Sequence, residues 1–405
     1  MFELNGKYGT AKVYATTVED ECMSQIYGFM NSPVVEDCKV AIMPDCHAGK
    51  GACIGFTQEI KNRVNPNMVG VDIGCGMLVL KIAKESGDII FNKQGLEKFD
   101  KIMHTKIPSG MKHRDTLHKF AKDFTEINDL IADADYNKEL YGMGSLGGGN
   151  HFVEIDKDEN GDYYIVIHSG SRHLGIAVAG YWEKRAVAYH QNSSKAKNDL
   201  IAKLKKEGRE QDIQKEINNL SKVVVSKELS YLEGEDVNGY LHDMKICQEF
   251  ARLSREAMLD ILVSEMGIKK HDILDKFCTI HNYIDIENRI LRKGSISLQK
   301  DESAIIPINM QFGSLIVKGK GNSEWNFSGP HGAGRLMSRS KAKQTLKMED
   351  FEESMKDIFT TSVSTATIDE APMAYKSADE ILENIKGNAE VISIIKPIYN
   401  FKASD

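Results

Sequence analysis

The side chains in this sequence best suited to chemistry are a carboxylate, a thiol and several histidines in glycine-rich segments. Asp72 and Cys75 stand three residues apart within Val69–Met77, and a glycine flanks the cysteine on each side. Glycine permits tight turns, so both side chains can point at one centre. A carboxylate and a thiolate together are typical ligands of Mn, Fe, Co or Zn rather than of Ca or Mg. The segment alone fits a tight turn around a buried cysteine at least as well.

Three histidines extend this set. His151 follows a run of glycines, whereas His168 and His281 each follow an apolar stretch. Strand ends are common places for catalytic side chains, although each histidine alone also fits a core-edge residue bonded to backbone. With the carboxylate and the thiolate they make five candidate ligands, enough for two metal ions. Paired cations neutralise charge on attacking and leaving oxygens, so the set favours a two-metal phosphate chemistry.

A second group of residues is suited to phosphate. His331 lies between Pro330 and a Gly-Ala-Gly run, and Asp45 and His47 lie in another glycine-rich segment. The following Leu336–Lys343 predicts a helix, which would place His331 before an anion-favouring helix N-terminus. A neutral imidazole held by a carboxylate can attack phosphorus, and Asp45 is the candidate carboxylate. From residue types alone, a helix cap or a non-covalent phosphate contact is the simpler interpretation of His331.

Six other histidines stand in charged, helix-like surroundings, which are typical of surface positions. We therefore exclude them from the candidate ligands. They are His104, His113, His118, His190, His242 and His271.

Composition excludes several classes of protein. The chain has 405 residues, 41% hydrophobic and 27% charged, which is an ordinary globular composition. No apolar run approaches the roughly 20 residues that span a bilayer, and the N-terminus lacks a signal-peptide pattern, so we expect a cytoplasmic location without a membrane partner. The seven cysteines include no Cys-x-x-Cys pair and predict free thiols. A net charge of −7 neither supports nor excludes RNA, because a local cationic patch is what matters.

The segments that must position these residues form three zones. Residues 1 to about 180 alternate short β-like runs with glycine-rich loops, and 176–264 predict a helical insertion with a turn at 193–197. The insertion fits a solvated helical arm as well as an RNA-contacting one. Residues from about 270 to 405 return to mixed α/β.

Individual elements follow from periodicity and from Gly and Pro punctuation. Strands are predicted within 39–43, 77–82, 163–168, 304–307 and 314–318. Helices are predicted within 94–133, with a break at 108–110, and near 336–346 and 377–390. Long gaps separate the chemical motifs, so a single site must be assembled from distant segments.

The motifs taken together resemble the RtcB family of RNA ligases. In chain order they are PDCHAGKG, VGVDIGCGM, GSLGGGNHFVE, HSGSRHLG, IHNY, GKGN, HGAGRLMSR and APMAYK, followed by the region of Lys402. They extend from residue 41 to about 402, so the resemblance covers nearly the whole chain. The combination of HGAGR with DIGCG and GGGNHF is highly specific.

The resemblance implies an α+β fold with mixed and antiparallel sheets around a central two-metal site. It implies one catalytic domain over 1–405 with 176–264 as a helical insertion within it. The implied reaction joins an RNA 3′-phosphate or 2′,3′-cyclic phosphate to an RNA 5′-hydroxyl, with two Mn²⁺ ions and GTP. Some family members need an accessory activator protein, and the sequence leaves this open here, as it does the RNA target in tRNA splicing or RNA repair. A monomer is expected.

The resemblance also implies roles for individual residues. His331 matches the nucleophile that takes GMP, and Asp45 matches the carboxylate that orients it. Cys75 matches a ligand shared by both metals, with Asp72 and His151 on one ion. His168 and His281 match ligands of the other ion.

The contacts implied for nucleotide and RNA are more numerous. His47 and Arg172 match RNA-phosphate positions. The positions implied to contact the guanylate are Asn150, His151, Phe152, Glu154, His281, Asn282, Asn309, Ser314, His331, Gly332, Ala333, Gly334, Tyr375 and Lys402. Many family members have Pro-Gly-Ser-Met-Gly where this chain has Pro307–Gln311, so we expect Asn309 to hold the triphosphate in its own way.

Two alternatives differ in what they require. A two-metal phosphoesterase that only hydrolyses cyclic phosphates needs the metal ligands but not His331, Tyr375 or Lys402. A non-catalytic RNA-binding homologue would be expected to lack at least one metal ligand. All of these residues are present, which favours the ligase.

Overall fold

The computed structural model describes residues 1–220 and 225–403, with the backbone alone for 191–199 and 218–220. Strands make up much of the chain. In chain order they are β1 (Phe2–Asn5), β2 (Thr10–Val13), β3 (Val40–His47), β4 (Ile54–Glu59), β5 (Arg63–Val64), β6 (Gly76–Ile82), β7 (Phe152–Lys157), β8 (Tyr163–Ser169), β9 (Leu232–Glu233), β10 (Ile273–Ile280), β11 (Asn282–Asp285), β12 (Ile290–Lys293), β13 (Ser295–Ser297), β14 (Ser303–Asn309), β15 (Gly313–Gly319), β16 (Ser328–Pro330), β17 (Phe359–Thr360) and β18 (Ala389–Lys402).

The helices concentrate in the middle of the chain. In chain order they are α1 (Asp20–Met30), α2 (Lys84–Ile90), α3 (Lys93–Lys106), α4 (Lys119–Asp123), α5 (Tyr136–Leu140), α6 (Arg172–Lys206), α7 (Ile213–Leu220), α8 (Glu235–Met266), α9 (Arg339–Thr345), α10 (Met348–Ser354) and α11 (Ala378–Ile385). Short 3₁₀ turns connect several of these elements. The fold is therefore mixed α+β.

Two sheets carry the chemistry. A six-stranded sheet has the order β1-β2-β3-β4-β12-β11 and is antiparallel except where β2 pairs β3. An eight-stranded sheet has the order β10-β6-β8-β7-β18-β15-β14, with β17 pairing β18. Its two end strands meet, since the amide of Ile305 on β14 donates to Thr279 Oγ1 on β10 at 3.1 Å. The eight-stranded sheet therefore curls until it encloses an inner face.

The apolar pattern of β6 explains why that sheet is covered on both sides. Met77 and Val79 pack with the inner apolar cluster, whereas Leu78, Leu80 and Ile82 pack against helices α3 and α8. A strand buried on both faces has a nearly continuous apolar sequence, and in β6 only Lys81 interrupts the apolar residues from Met77 to Ile82. The long helices α6 and α8 also share a core with the six-stranded sheet.

All five predicted strands are present, but three other expectations from the sequence are wrong. Helix α6 runs through 193–197, so there is no turn there. Between 94 and 133 only α3 and α4 are α-helical. His118 and His190 are buried rather than exposed. His118 Nδ1 accepts from the amide of Phe120 at the start of α4, and His190 Nε2 accepts from the amide of Tyr231. These backbone hydrogen bonds replace the bonds to water that each ring loses on burial.

The middle of the chain is helical in α6, α7 and α8, as the composition predicts. That 176–264 is an insertion within one domain stays a prediction. None of the described helices combines the length and apolar character needed to cross a bilayer.

Candidate active site

Strand register brings the predicted metal ligands to one edge of the curled sheet. Cys75 precedes β6, whose first residue pairs with both β8 and β10. His168 lies on β8 opposite Phe152, directly after His151, and the amide of His281 donates to the Cys75 carbonyl at 2.9 Å. Antiparallel neighbours stand roughly 5 Å apart, so the side chains must converge.

The donor atoms form a connected chain of short distances. Cys75 Sγ lies 3.4 Å from His151 Nε2 and 3.2 Å from His168 Nε2. His151 Nε2 lies 3.3 Å from Asp72 Oδ2, and His168 Nε2 lies 3.3 Å from His281 Nε2. Cys75, His151 and His168 form a compact group whose ligand atoms all lie within 4.8 Å of one another. All five predicted ligands are therefore brought together, with the thiol in the middle.

The turn that carries the thiol depends on glycine. The amide of Cys75 donates to the Asp72 carbonyl at 3.2 Å, which closes the turn. Gly74 has a φ of +72°, and a Cβ there would stand 2.8 Å from the Cβ of Ala251 on α8. Glycine therefore serves both the left-handed backbone and the close approach of α8.

The ionisation of these groups fits metal ligands. Burial lowers the pKa of His168 and of His281, so both imidazoles are neutral with a lone pair to share. Burial opposes ionisation of Asp72, but His151 beside it lowers the pKa of that carboxyl to about 2. Burial raises the pKa of the Cys75 thiol, a cost that a bound cation would offset.

Arg255 was not predicted, yet it holds two of the ligand segments together. This guanidinium is fully buried on α8 and donates to the carbonyls of Gly74, at 2.8 Å, and Ser169, at 2.6 Å. Those carbonyls adjoin Cys75 and His168. The motif CQEFARLSR contains Arg255, but sequence spacing alone does not show which backbone it reaches.

His331 stands beside the metal ligands and is held by Asp45. Its ring lies 5.0 Å from the His281 ring, centroid to centroid. Asp45 is fully buried, and its Oδ2 accepts from His331 Nδ1 at 2.7 Å and from the His331 amide at 3.0 Å. Because the carboxylate fixes the proton on Nδ1, Nε2 keeps its lone pair.

The predicted position of His331 at a helix N-terminus is wrong. Helix α9 begins at Arg339, with Ser338 as its N-cap, and residues 331–335 form a loop after β16. Gly334 has a φ of +76°, and a Cβ there would stand 2.6 Å from the carbonyl oxygen of Asp45. The glycine run therefore serves the close approach of this loop to β3.

A cavity of about 840 Å³ opens next to His331. Predicted residues that line it are His47, Asn150, Phe152, Glu154, His168, His281, Asn282, Asn309, His331, Gly332, Ala333, Gly334, Tyr375 and Lys402. His47 Nδ1 donates to the Asp45 carbonyl at 2.9 Å, and burial lowers the pKa of that imidazole.

Three predicted contacts, His151, Ser314 and Arg172, do not line this cavity, and a fourth, Asn309, also shapes a turn. Ser314 is fully buried and does not line the cavity. Arg172 donates to Ser145 Oγ at 3.1 Å and to the Gly110 carbonyl at 2.5 Å, so it braces the start of the glycine-rich loop. Asn309 Oδ1 accepts from the amides of Gln311 and Phe312, which closes the turn between β14 and β15.

The end of the cavity around Tyr375 and Lys402, which we call the far end, is organised by Glu370, which the sequence did not single out. Its Oε2 accepts from the Tyr375 hydroxyl at 2.6 Å and from Lys402 Nζ at 2.5 Å. Its Oε1 lies 2.8 Å from an Arg339 nitrogen and 3.4 Å from an Arg335 nitrogen. The acidic pair before the APMAYK motif is the only sequence signal that points to this carboxylate.

A second carboxylate pair lies on β7, and one of its members, Glu154, also lines the cavity. Glu154 and Asp156 share a face of the strand and are buried. Asn400 donates to Glu154 Oε1 at 2.5 Å, whereas neither oxygen of Asp156 has a hydrogen-bond partner among the described residues. Burial raises the pKa of Glu154 to about 7 and holds the pKa of Asp156 well above its usual range.

Comparison with known proteins gives one family. The family described as tRNA-splicing ligase RtcB matches residues 25–140 and 128–403. The RNA-splicing ligase RtcB of Escherichia coli (strain K12) is 30% identical, over 94% of this chain and 94% of that protein. The tRNA-splicing ligase RtcB of Aeropyrum pernix is 23% identical, over 88% of this chain and 86% of that protein.

Proposed function

This chain belongs to the RtcB family of RNA ligases, and from that premise we propose that it joins RNA ends with GTP and Mn²⁺. One substrate end bears a 3′-phosphate or a 2′,3′-cyclic phosphate, and the other bears a 5′-hydroxyl. The biological setting is tRNA splicing or RNA repair. The observation that carries the proposal is His331, fixed by a buried carboxylate at 2.7 Å and standing between the metal-ligand cluster and a nucleotide-sized cavity.

The first chemical step is guanylylation of His331. Its Nε2 attacks the α-phosphorus of GTP, a P–N bond forms, and the bond to the leaving pyrophosphate breaks. Asp45 keeps the Nδ1 proton in place and stabilises the positive charge that develops on the ring. The buried Asp45 also accepts from the amides of His331 and Gly332, so the imidazole and its loop are held together.

Two further displacements complete the reaction. An oxygen of the RNA 3′-phosphate attacks the guanylate phosphorus, the P–N bond breaks, and His331 is released with an RNA–ppG end formed. The 5′-hydroxyl then attacks the RNA phosphorus, its proton is lost, and GMP leaves. A cyclic phosphate is first opened by water to a 3′-phosphate.

The donor set fits two transition-metal ions better than Mg²⁺. One ion would be held by Asp72, His151 and Cys75, and the other by Cys75, His168 and His281. The connected distances of 3.2–3.4 Å between neighbouring donor atoms support this assignment. When bound, Mn²⁺ would neutralise charge on the phosphate oxygens.

Substrate contacts are proposed on the same basis. His47 lines the cavity and is proposed to meet RNA phosphate. Arg172 is proposed for the same role, although two of its nitrogens already bond Ser145 and Gly110. The guanylate would contact the predicted cavity residues, which include Glu154, Tyr375 and Lys402.

The wider setting is part of the proposal. We place one catalytic domain over 1–405, with 176–264 as its insertion, because the long helices share a core with the six-stranded sheet. Seven free cysteines are consistent with a reducing compartment, for which we propose the cytoplasm. A monomer is proposed, and the need for an activator protein stays open.

A joining assay tests the proposal against simple hydrolysis. RNA that carries a 2′,3′-cyclic phosphate and a labelled 5′-hydroxyl end is incubated with the protein, GTP and Mn²⁺. We expect a joined product with wild type and none with His331→Ala, which should still open the cyclic phosphate. Hydrolysis without joining by wild type would favour the phosphoesterase, and RNA binding without either reaction would favour the non-catalytic homologue.

A further inference from the structure

Glu370 is the most fully bonded carboxylate of the cavity wall. It lies on the 3₁₀ turn Ile368–Glu370, and its side chain is only 2% exposed. Tyr375 and Lys402 donate to one oxygen, at 2.6 and 2.5 Å. Arg339 and Arg335 approach the other, at 2.8 and 3.4 Å. Four donors on one buried carboxylate make a rigid anchor.

This bonding decides what Glu370 can do for a ligand. Burial opposes its ionisation, but Lys402 and Arg339 lower the pKa of this carboxyl to about 2, so it is ionised near neutral pH. A carboxylate offers roughly four acceptor sites, and the four donors occupy them. Glu370 therefore does not receive a ligand itself, and its effect must pass through the groups that it holds.

Lys402 is the group whose position matters most. Its ammonium is bonded to Glu370, lies 5.7 Å from the Phe152 ring centroid, and also attracts the Glu154 carboxylate. An ammonium has three donors, so two stay available after the bond to Glu370. If that bond were lost, Lys402 would be free to pair with Glu154, and the cavity would lose a donor and an acceptor together.

We infer that Glu370 is a positioning residue that holds the Lys402 ammonium away from Glu154, so that the cavity keeps a separate donor and acceptor for a purine with a 6-carbonyl. The inference deepens the proposed function and rests on it. The donor would meet the carbonyl oxygen, and Glu154 would accept from the ring N–H beside it. A purine without that carbonyl gains nothing from a correctly placed Lys402.

Nucleotide binding separates this role from a merely structural one. Binding of GMP and of 2-aminopurine riboside monophosphate, which lacks both the 6-carbonyl and the ring N–H beside it, is measured by calorimetry on Mn²⁺-loaded protein. Glu370→Gln should weaken GMP roughly 10- to 100-fold, the range for a lost charged hydrogen bond. It should leave the 2-aminopurine nucleotide within about twofold, whereas general damage to the cavity would weaken both.

A matched control and a double variant sharpen the test. Asp369→Asn changes the neighbouring carboxylate, equally buried and bonded to Arg339 but not to Lys402, and should leave GMP binding unchanged. In a Lys402→Met background, Glu370→Gln should cause no further loss for GMP. If Glu370→Gln does not fold, Glu370→Asp is measured instead. Its side chain is shorter by one methylene group, and it should show the same selective loss of GMP binding.

The outcomes that contradict the inference are distinct from those that contradict the proposed function. Wild type that binds GMP, with Glu370→Gln binding it equally, overturns the inference alone. Equal losses for both nucleotides, or additive effects with Lys402→Met, also overturn it. Wild type that binds neither nucleotide overturns both the proposed function and the inference.

Discussion

The two ends of the cavity are built in opposite ways. At the metal end, imidazoles and a thiol converge, and the Nδ1 atoms of His151 and His281 have no hydrogen-bond partner among the described residues. At the far end, Glu370 gathers four donors and is fully bonded within the protein. The first end has the donor set of a cation site, whereas the second is held together by bonds within the protein. The dependence of the local structure on a bound ligand should therefore differ sharply between the two ends.

The largest expected effect is at the centre of the metal end. Cys75 touches both His151 and His168, so Cys75→Ala should abolish guanylylation and joining. The loss should exceed the roughly 10- to 100-fold typical of an outer-shell metal partner. Bound Mn²⁺ is measured together with activity. Cys247→Ala removes another fully buried thiol and should keep both, while retained activity in Cys75→Ala would contradict the bridging assignment.

Next in size is the carboxylate between the two ends. Asp45→Asn keeps the volume but replaces the acceptor that fixes the His331 tautomer. We expect kcat for guanylylation to fall roughly 10³- to 10⁴-fold, as with other orienting carboxylates, with KM for GTP little changed. Labelling of the protein, stopped at a series of times and GTP concentrations, gives kcat and KM. A change confined to KM would mean that Asp45 serves binding instead.

A smaller effect distinguishes Glu154 from Glu370 within the far end. The pKa of Glu154 is raised to about 7 by burial, whereas that of Glu370 is lowered to about 2. An ionised Glu154 can accept both from Asn400 and from the ring N–H of the purine, so GMP affinity should fall about tenfold per pH unit below pH 7. Calorimetry from pH 5.5 to 8 measures this. In Glu154→Gln that part of the pH dependence should disappear, and an unchanged profile would exclude Glu154 as its source.

The smallest expected effect concerns stability. Asp156 is buried, its oxygens have no hydrogen-bond partner within the described part of the chain, and burial raises its pKa in the folded state. A raised pKa contributes stability below the unfolded value near 4, which is lost as pH rises. Asp156→Asn should therefore raise the free energy of unfolding at pH 7 by about 1–3 kcal/mol and change it little near pH 4. Urea titrations at pH 7 and pH 4 measure the free energy of unfolding. A variant destabilised at pH 7 would show that Asp156 has a stabilising partner.

The two ends also differ in what the sequence could predict. The metal ligands and His331 lie in local glycine-rich motifs, and five of five predicted ligands meet in the fold. Glu370 and Arg255 were missed because most of their partners are distant in sequence and come close only in the folded chain. The helix expected at Leu336 begins at Arg339, since Ser338 supplies the N-cap. Local chemistry is thus easier to predict than the long-range contacts that position it.

The central claim is that His331 captures GMP at the junction of these two ends. The most direct measurement incubates the protein with Mn²⁺ and GTP labelled at the α-phosphate, then tests for acid-labile label on the protein. We predict label on wild type that is absent in His331→Ala and unchanged in His271→Ala, whose exposed histidine lies on a 3₁₀ turn after α8. No label on wild type, or equal label on His331→Ala, would contradict the account.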